Sequence, residues 1–133
     1  MNQPRSNEVS PPVVLVVDDE PILRAYTSEL LISAGYEALE AAHAADALAM
    51  LDLCTNIRAV VTDIEMPPGM NGLALARLIA ERWESIAILI VSGRVQPLDA
   101  ALPAGAQFMA KPIMPQDLLS KLDSMTGHER ASQ

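Results

Sequence analysis

Five polar residues stand directly behind apolar runs in this sequence. Asp18 and Asp19 follow "VVLVV", Asp63 follows "IRAVVT", Ser92 follows "IAILIV" and Lys111 follows "AQFMA". Three carboxylates brought together cannot all stay ionised without a counter-charge. A shared proton is one remedy and a hard divalent cation is another. Magnesium prefers oxygen ligands and is commonly held by one or two carboxylates together with a phosphate. A lysine adds a point positive charge, a serine adds a hydroxyl donor, and a carboxylate is a competent nucleophile toward phosphorus. The chemistry these residue types suggest is phosphoryl binding or transfer, driven by positioning and charge neutralisation.

Such a site requires elements that bring the five residues together. The valine-rich run Val13 to Val17 reads as a strand buried on both faces. Pro21 suits a first helical turn, and the helix it opens extends to about Ala34, with Leu23, Leu30 and Ala34 as its apolar stripe and Gly35 just past its end. "YEALEA", "IRAVVT", "IAILIV" and "AQFMA" supply further strands. "AADALAMLDL", "LALARLIAERW" and "PQDLLSKLDSM" supply further helices, with Pro115 near the start of the last. Between the fourth and fifth strands, "GRVQPLDAALPAGA" carries Pro97 and Pro103 and leaves room for only a short helix. Strands that alternate with helices imply βαβ crossovers and a parallel sheet. In an open α/β sheet the carboxyl ends of the strands share one edge, and ligands bind there where strand order reverses. All five chemical residues fall at that edge.

Size and composition narrow the function classes. The 133 residues suit one domain, read as residues 11–125 between polar tails at 1–10 and 126–133. A net charge of −8 argues against binding to nucleic-acid backbone, and four aromatic residues (one Trp, two Tyr, one Phe) argue against a base-stacking platform. No apolar run approaches the roughly 20 residues of a membrane span. The N-terminus lacks the apolar core of a signal peptide. The single cysteine, Cys54, excludes an internal disulfide and reads as a buried apolar residue in a reducing, cytoplasmic setting.

The motifs "VVDDE", "TDIEMPPGMNG", "VSG" and "AKP", in this order and at strand ends, resemble the receiver domain of two-component response regulators. The resemblance covers about Val13 to Met125. It implies a flavodoxin-like α/β fold, (βα)5, with a parallel five-stranded sheet in the order 2-1-3-4-5. It implies Asp63 as phosphoacceptor, served by a histidine kinase or histidine phosphotransfer protein. It implies Mg²⁺ as cofactor, held by Asp19 directly, Asp18 through water, Asp63, and the backbone carbonyl of Glu65. Ser92 resembles the hydroxyl residue that bonds a phosphoryl oxygen, and Lys111 resembles the lysine that pairs with it. Phe108 resembles the aromatic switch that changes rotamer with Ser92. The resemblance further implies a single-domain protein, monomeric or weakly dimeric, that acts on an output protein and turns over no metabolite. Two departures stand out: "MPPGMNG" is a residue longer than the usual loop, and the stretch from Ser92 to Lys111 is about three residues shorter than usual. A shortened fourth helix is the expectation there.

Each residue also has a plainer reading. Asp18, Asp19 and Glu20 suit the N-terminus of a helix through its dipole. Asp63 and Lys111 are ordinary loop residues if taken singly, Ser92 beside Gly93 suits a turn, and Phe108 suits a strand core. Two other functions compete. One is a phosphatase or phosphotransferase with an aspartate nucleophile, against which "DDEP" lacks an acid at the required offset. The other is a phosphorylation-independent interaction module with a receiver fold.

Overall fold

The structure is a computed structural model and describes residues 11–67, 69–93 and 102–128. The elements are β1 (Val13–Val17), α1 (Pro21–Ser33), β2 (Glu37–Ala41), α2 (Ala44–Leu53), β3 (Ile57–Asp63), α3 (Gly72–Arg82), β4 (Ala87–Ser92), β5 (Ala106–Ala110) and α4 (Pro115–Thr126). The strands form one parallel sheet in the order β2-β1-β3-β4-β5. This is the expected flavodoxin-like α/β topology, with four helices among the described residues.

The period-two alternation of the strands splits the core between the two faces of the sheet. Val13, Leu15 and Val17 of β1 join Val60, Ile88 and Ile90 under α2 and α3, where Ala47, Leu51, Leu75 and Ile79 meet them. Val14 and Val16 join Ala59, Val61, Leu89 and Val91 on the other face, against Leu31 of α1 and Leu118 and Leu122 of α4. Every residue of β1 is buried, so the strand is apolar without alternation.

Helix ends follow local chemistry. Pro21 and Pro115 open α1 and α4. Gly35 follows α1 at φ +94°, a left-handed conformation that glycine adopts without a steric penalty. Asn71 caps α3, its side-chain oxygen accepting the Ala74 N–H at 2.9 Å.

Several expectations change. The buried face of α1 is Thr27, Ser28 and Leu31, while Leu23 is 40% exposed. Leu30 and Ala34 pack only partly against the core. The stripe begins with polar residues, so hydrophobic periodicity places it a residue away. Helical structure continues past Met125. Thr126 belongs to α4, and the His128 ring packs against Tyr36 at a tilt of 55°, with ring centroids 4.5 Å apart. The Tyr36 hydroxyl donates to Asp123 Oδ1 at 2.7 Å, and an Arg58 guanidinium N–H donates to the Thr126 carbonyl at 3.1 Å. These contacts carry the fold into the expected tail. Cys54 is half-buried, not buried, because it is the C-cap of α2. The expected fourth helix falls largely outside the described residues, as does the tail at 1–10. Leu102 to Gly105, which are described, form a bend and a turn.

Candidate functional site

Register sets the site before any side chain is considered. Strand order reverses between β1 and β3, since the chain runs outward from β1 to β2 on one side and from β3 to β5 on the other. Val17 pairs with Thr62, so Asp18 and Asp63 come next, side by side, at the crevice where such folds bind ligands. Asp63 pairs with Val91 and Ser92 pairs with Ala110, so Ser92 and Lys111 follow on adjacent strands of the same edge. The Lys111 N–H donates to the Ser92 carbonyl at 3.0 Å, tying the two strand ends together.

The side chains complete the convergence. Carboxylate oxygens of Asp18, Asp19 and Asp63 lie within 4.8 Å of one another. Lys111 Nζ donates to Asp63 Oδ2 at 3.0 Å. The other Asp63 oxygen, Oδ1, is buried and has no hydrogen-bond partner. Asp18 is buried as well, and Asp19 is half-buried. Asp18 Oδ1 accepts the Glu20 N–H at 2.9 Å. Burial pushes the Asp18 carboxyl above its ordinary 3.8. The Glu20 N–H and the Lys111 cation pull it down, while the Asp63 and Asp19 charges push it up. An all-oxygen donor set with an orphaned buried carboxylate oxygen fits a hard divalent cation and does not fit a soft one.

The remaining candidates sit around this centre. Ser92 is buried at the end of β4. Glu65 is half-buried in the loop after β3, two residues beyond Asp63. Phe108 is half-buried on β5, pairs with Ile90 and packs against the α2–α3 core. His43 is the N-cap residue of α2.

Met66 is buried in the α2–α3 core and anchors the loop after Asp63. Two further contributors were not legible as site residues. Gly72 starts α3 so close to β3 that a Cβ there would overlap the Asp63 carbonyl oxygen. Its N–H donates to the Ile64 carbonyl at 2.8 Å, which closes the loop at its neck. Arg24 donates from a guanidinium N–H to the Asp18 carbonyl at 2.8 Å. The glycine lay in a recognisable motif, but its role depends on a long-range approach. The arginine carried no sequence signal at all.

Fold and site together define an open α/β protein with an acid cluster and a lysine at the switch point of a five-stranded parallel sheet. The response regulator receiver domain profile matches residues 14–123, and the chain belongs to that family. It is 35% identical over 120 residues to the chemotaxis protein CheY1 of Helicobacter pylori, covering 86% of this chain and 96% of CheY1. It is 34% identical over 129 residues to the transcriptional regulatory protein AruR of Pseudomonas aeruginosa, covering 92% of this chain. The chain spans about half the length of AruR, 52%. Among solved structures, a CheY-like receiver domain protein from Methanospirillum hungatei superposes with a TM-score of 0.81 at 28% identity, covering 89% of this chain and 95% of that one. No helix among the described residues is long and apolar enough to cross a membrane.

Proposed function

We propose that this protein is a phosphorylatable receiver that accepts a phosphoryl group on Asp63 from a histidine kinase or histidine phosphotransfer protein and thereby changes its binding to an output protein. The observation that carries the reading is the pairing of Lys111 Nζ with Asp63 Oδ2 at 3.0 Å beside the Asp18–Asp19–Asp63 cluster.

In this reading an Asp63 carboxylate oxygen attacks phosphorus. An O–P bond forms as the N–P bond of the donor phosphohistidine breaks. The departing imidazole, protonated on its other nitrogen, takes the electron pair and leaves neutral. Asp18 and Asp19, with Asp63 and the Glu65 carbonyl, would hold Mg²⁺, which supplies positive charge against the phosphoryl oxygens when bound. Asp19 would serve as a direct ligand of the ion and Asp18 would serve through a water. Lys111 keeps its ammonium beside Asp63 and neutralises a phosphoryl oxygen. Ser92 donates its hydroxyl to another, and Phe108 follows Ser92 by changing rotamer. The added charge and acceptor oxygens shift the population of a distant face. The protein works in the cytoplasm as a monomer or weak dimer and turns over no metabolite.

Intact mass after incubation with acetyl phosphate and Mg²⁺ tests this reading. The wild type gains one phosphoryl group, and Asp63→Asn or chelation of the metal abolishes the gain. An unlabelled wild type, under conditions that label a control receiver, would refute the reading. Ser92→Ala and Lys111→Ala are expected to fold but to lose most of the beryllofluoride-induced change in amide exchange near Phe108.

A further inference from the structure

Arg24 lies one turn into α1 and faces back toward the start of its own helix. Its Nε donates to Glu40 Oε1 at 3.0 Å, and its Nη1 donates to the Asp18 carbonyl oxygen at 2.8 Å. One guanidinium therefore joins α1, the end of β1 and the end of β2. The Asp18 N–H in turn donates to the Ala41 carbonyl at 3.1 Å. With the Glu20 N–H on Asp18 Oδ1 at 2.9 Å, the main chain of Asp18 is held on both sides and its carboxylate is held from a third direction.

Asp18 and Asp19 leave a strand whose regular pairing ends at Val17. Two adjacent acids that repel each other and Asp63 would swing apart unless the main chain were fixed. Electrostatic help for the Asp18 carboxyl comes from Lys111. Arg24 grips the peptide carbonyl instead, so its contribution is geometric. A lysine carries the same charge but lacks the rigid fork that reaches two acceptors at once.

We propose that Arg24 is a positioning residue for the divalent cation, holding Asp18 and Asp19 in ligating geometry through the Asp18 carbonyl while Glu40 holds Arg24. This rests on the reading of the acid cluster as a cation site. An exposed ion pair with no such role contributes little beyond stability. Loss of a group that orients a metal ligand lowers affinity about 10- to 100-fold.

Titration of the intact chain with MgCl₂, followed through the backbone amide shift of Glu20, separates the two. Thermal midpoints in EDTA serve as the folding control. Arg24→Lys is expected to weaken Mg²⁺ binding about 10-fold or more. Glu40→Gln, which keeps an acceptor oxygen, is expected to bind within about two-fold of wild type. If the wild type saturates and Arg24→Lys binds equally well, the proposal fails and the cation site stands. Glu40→Gln falling as far as Arg24→Lys would also overturn it. A wild type with no saturable Mg²⁺ binding overturns the site and the proposal together. Should Arg24→Lys not fold, Glu40→Leu replaces it: weaker binding supports the proposal and unchanged binding overturns it.

Discussion

Asp18 holds a buried carboxyl beside two other acids, and its environment raises its pKa. A folded-state pKa above the unfolded one gives a contribution that is present below pH 3.8 and lost as pH rises through the folded value. Above that value the metal-free protein holds a buried charge that the Glu20 N–H and the Lys111 cation offset only in part. Asp18→Asn is expected to raise the thermal midpoint by a few degrees at pH 7 in EDTA. The advantage shrinks as pH falls through the folded value toward 3.8, below which the carboxyl is protonated in the folded and the unfolded chain alike. An equal advantage at both pH values would count against burial of the charge as the cause. Gly72 is a residue-scale constraint of another kind. Because a Cβ would overlap the Asp63 carbonyl, Gly72→Ala is expected to cost at least about 2 kcal/mol and to slow labelling of Asp63. Urea midpoints and the mass assay check the two halves separately.

At the scale of elements, α1 presents an inversion. Ile22, Leu23, Tyr26 and Ile32 are exposed while Thr27 and Ser28 are buried. The buried face is fixed by how the helix lies on β1 and by the fully buried Leu31, not by the average polarity of its residues. Leu31→Ala is expected to cost about 2–5 kcal/mol. Leu23→Ala, at an exposed position of the same helix, is expected to stay within about 0.5 kcal/mol. Chemical denaturation of both variants gives the comparison, and similar losses would restore the stripe that periodicity suggests. The end of α4 behaves similarly. Tyr36, Asp123, Thr126 and Arg58 join its last turn to the end of α1 and to β3, contacts that no local signal in "DSMTGH" announces.

Across the whole molecule, the acid cluster links site occupancy to stability. A cation that binds only the folded chain stabilises it by about 2.7 kcal/mol at a hundred times its dissociation constant. Addition of Mg²⁺ is therefore expected to raise the thermal midpoint, with a gain that grows with pH as Asp18 ionises, since the cation and the proton compete there. A gain of equal size in Asp63→Asn would show that the stabilising ion sits elsewhere. The same linkage runs in the other direction, because any change that spreads the ends of β1 and β3 weakens the ion.

Strand and helix periodicity, together with acids, a serine and a lysine behind apolar runs, was enough to place β1 to β5 within a residue or so. It was also enough to assign the sheet order through the family resemblance and to bring Asp18, Asp19, Asp63, Ser92 and Lys111 to one edge. Those signals are local: a buried strand must be apolar, and the residue after it must meet the edge. Local sequence carried no information about which groups would approach from far away. The grip of Arg24 on Asp18, the close passage of Gly72 over Asp63, the buried polar stripe of α1 and the fold-back of His128 onto Tyr36 arise only when elements pack. Each depends on distances set by neighbouring layers of the fold, and these appear only in the tertiary structure.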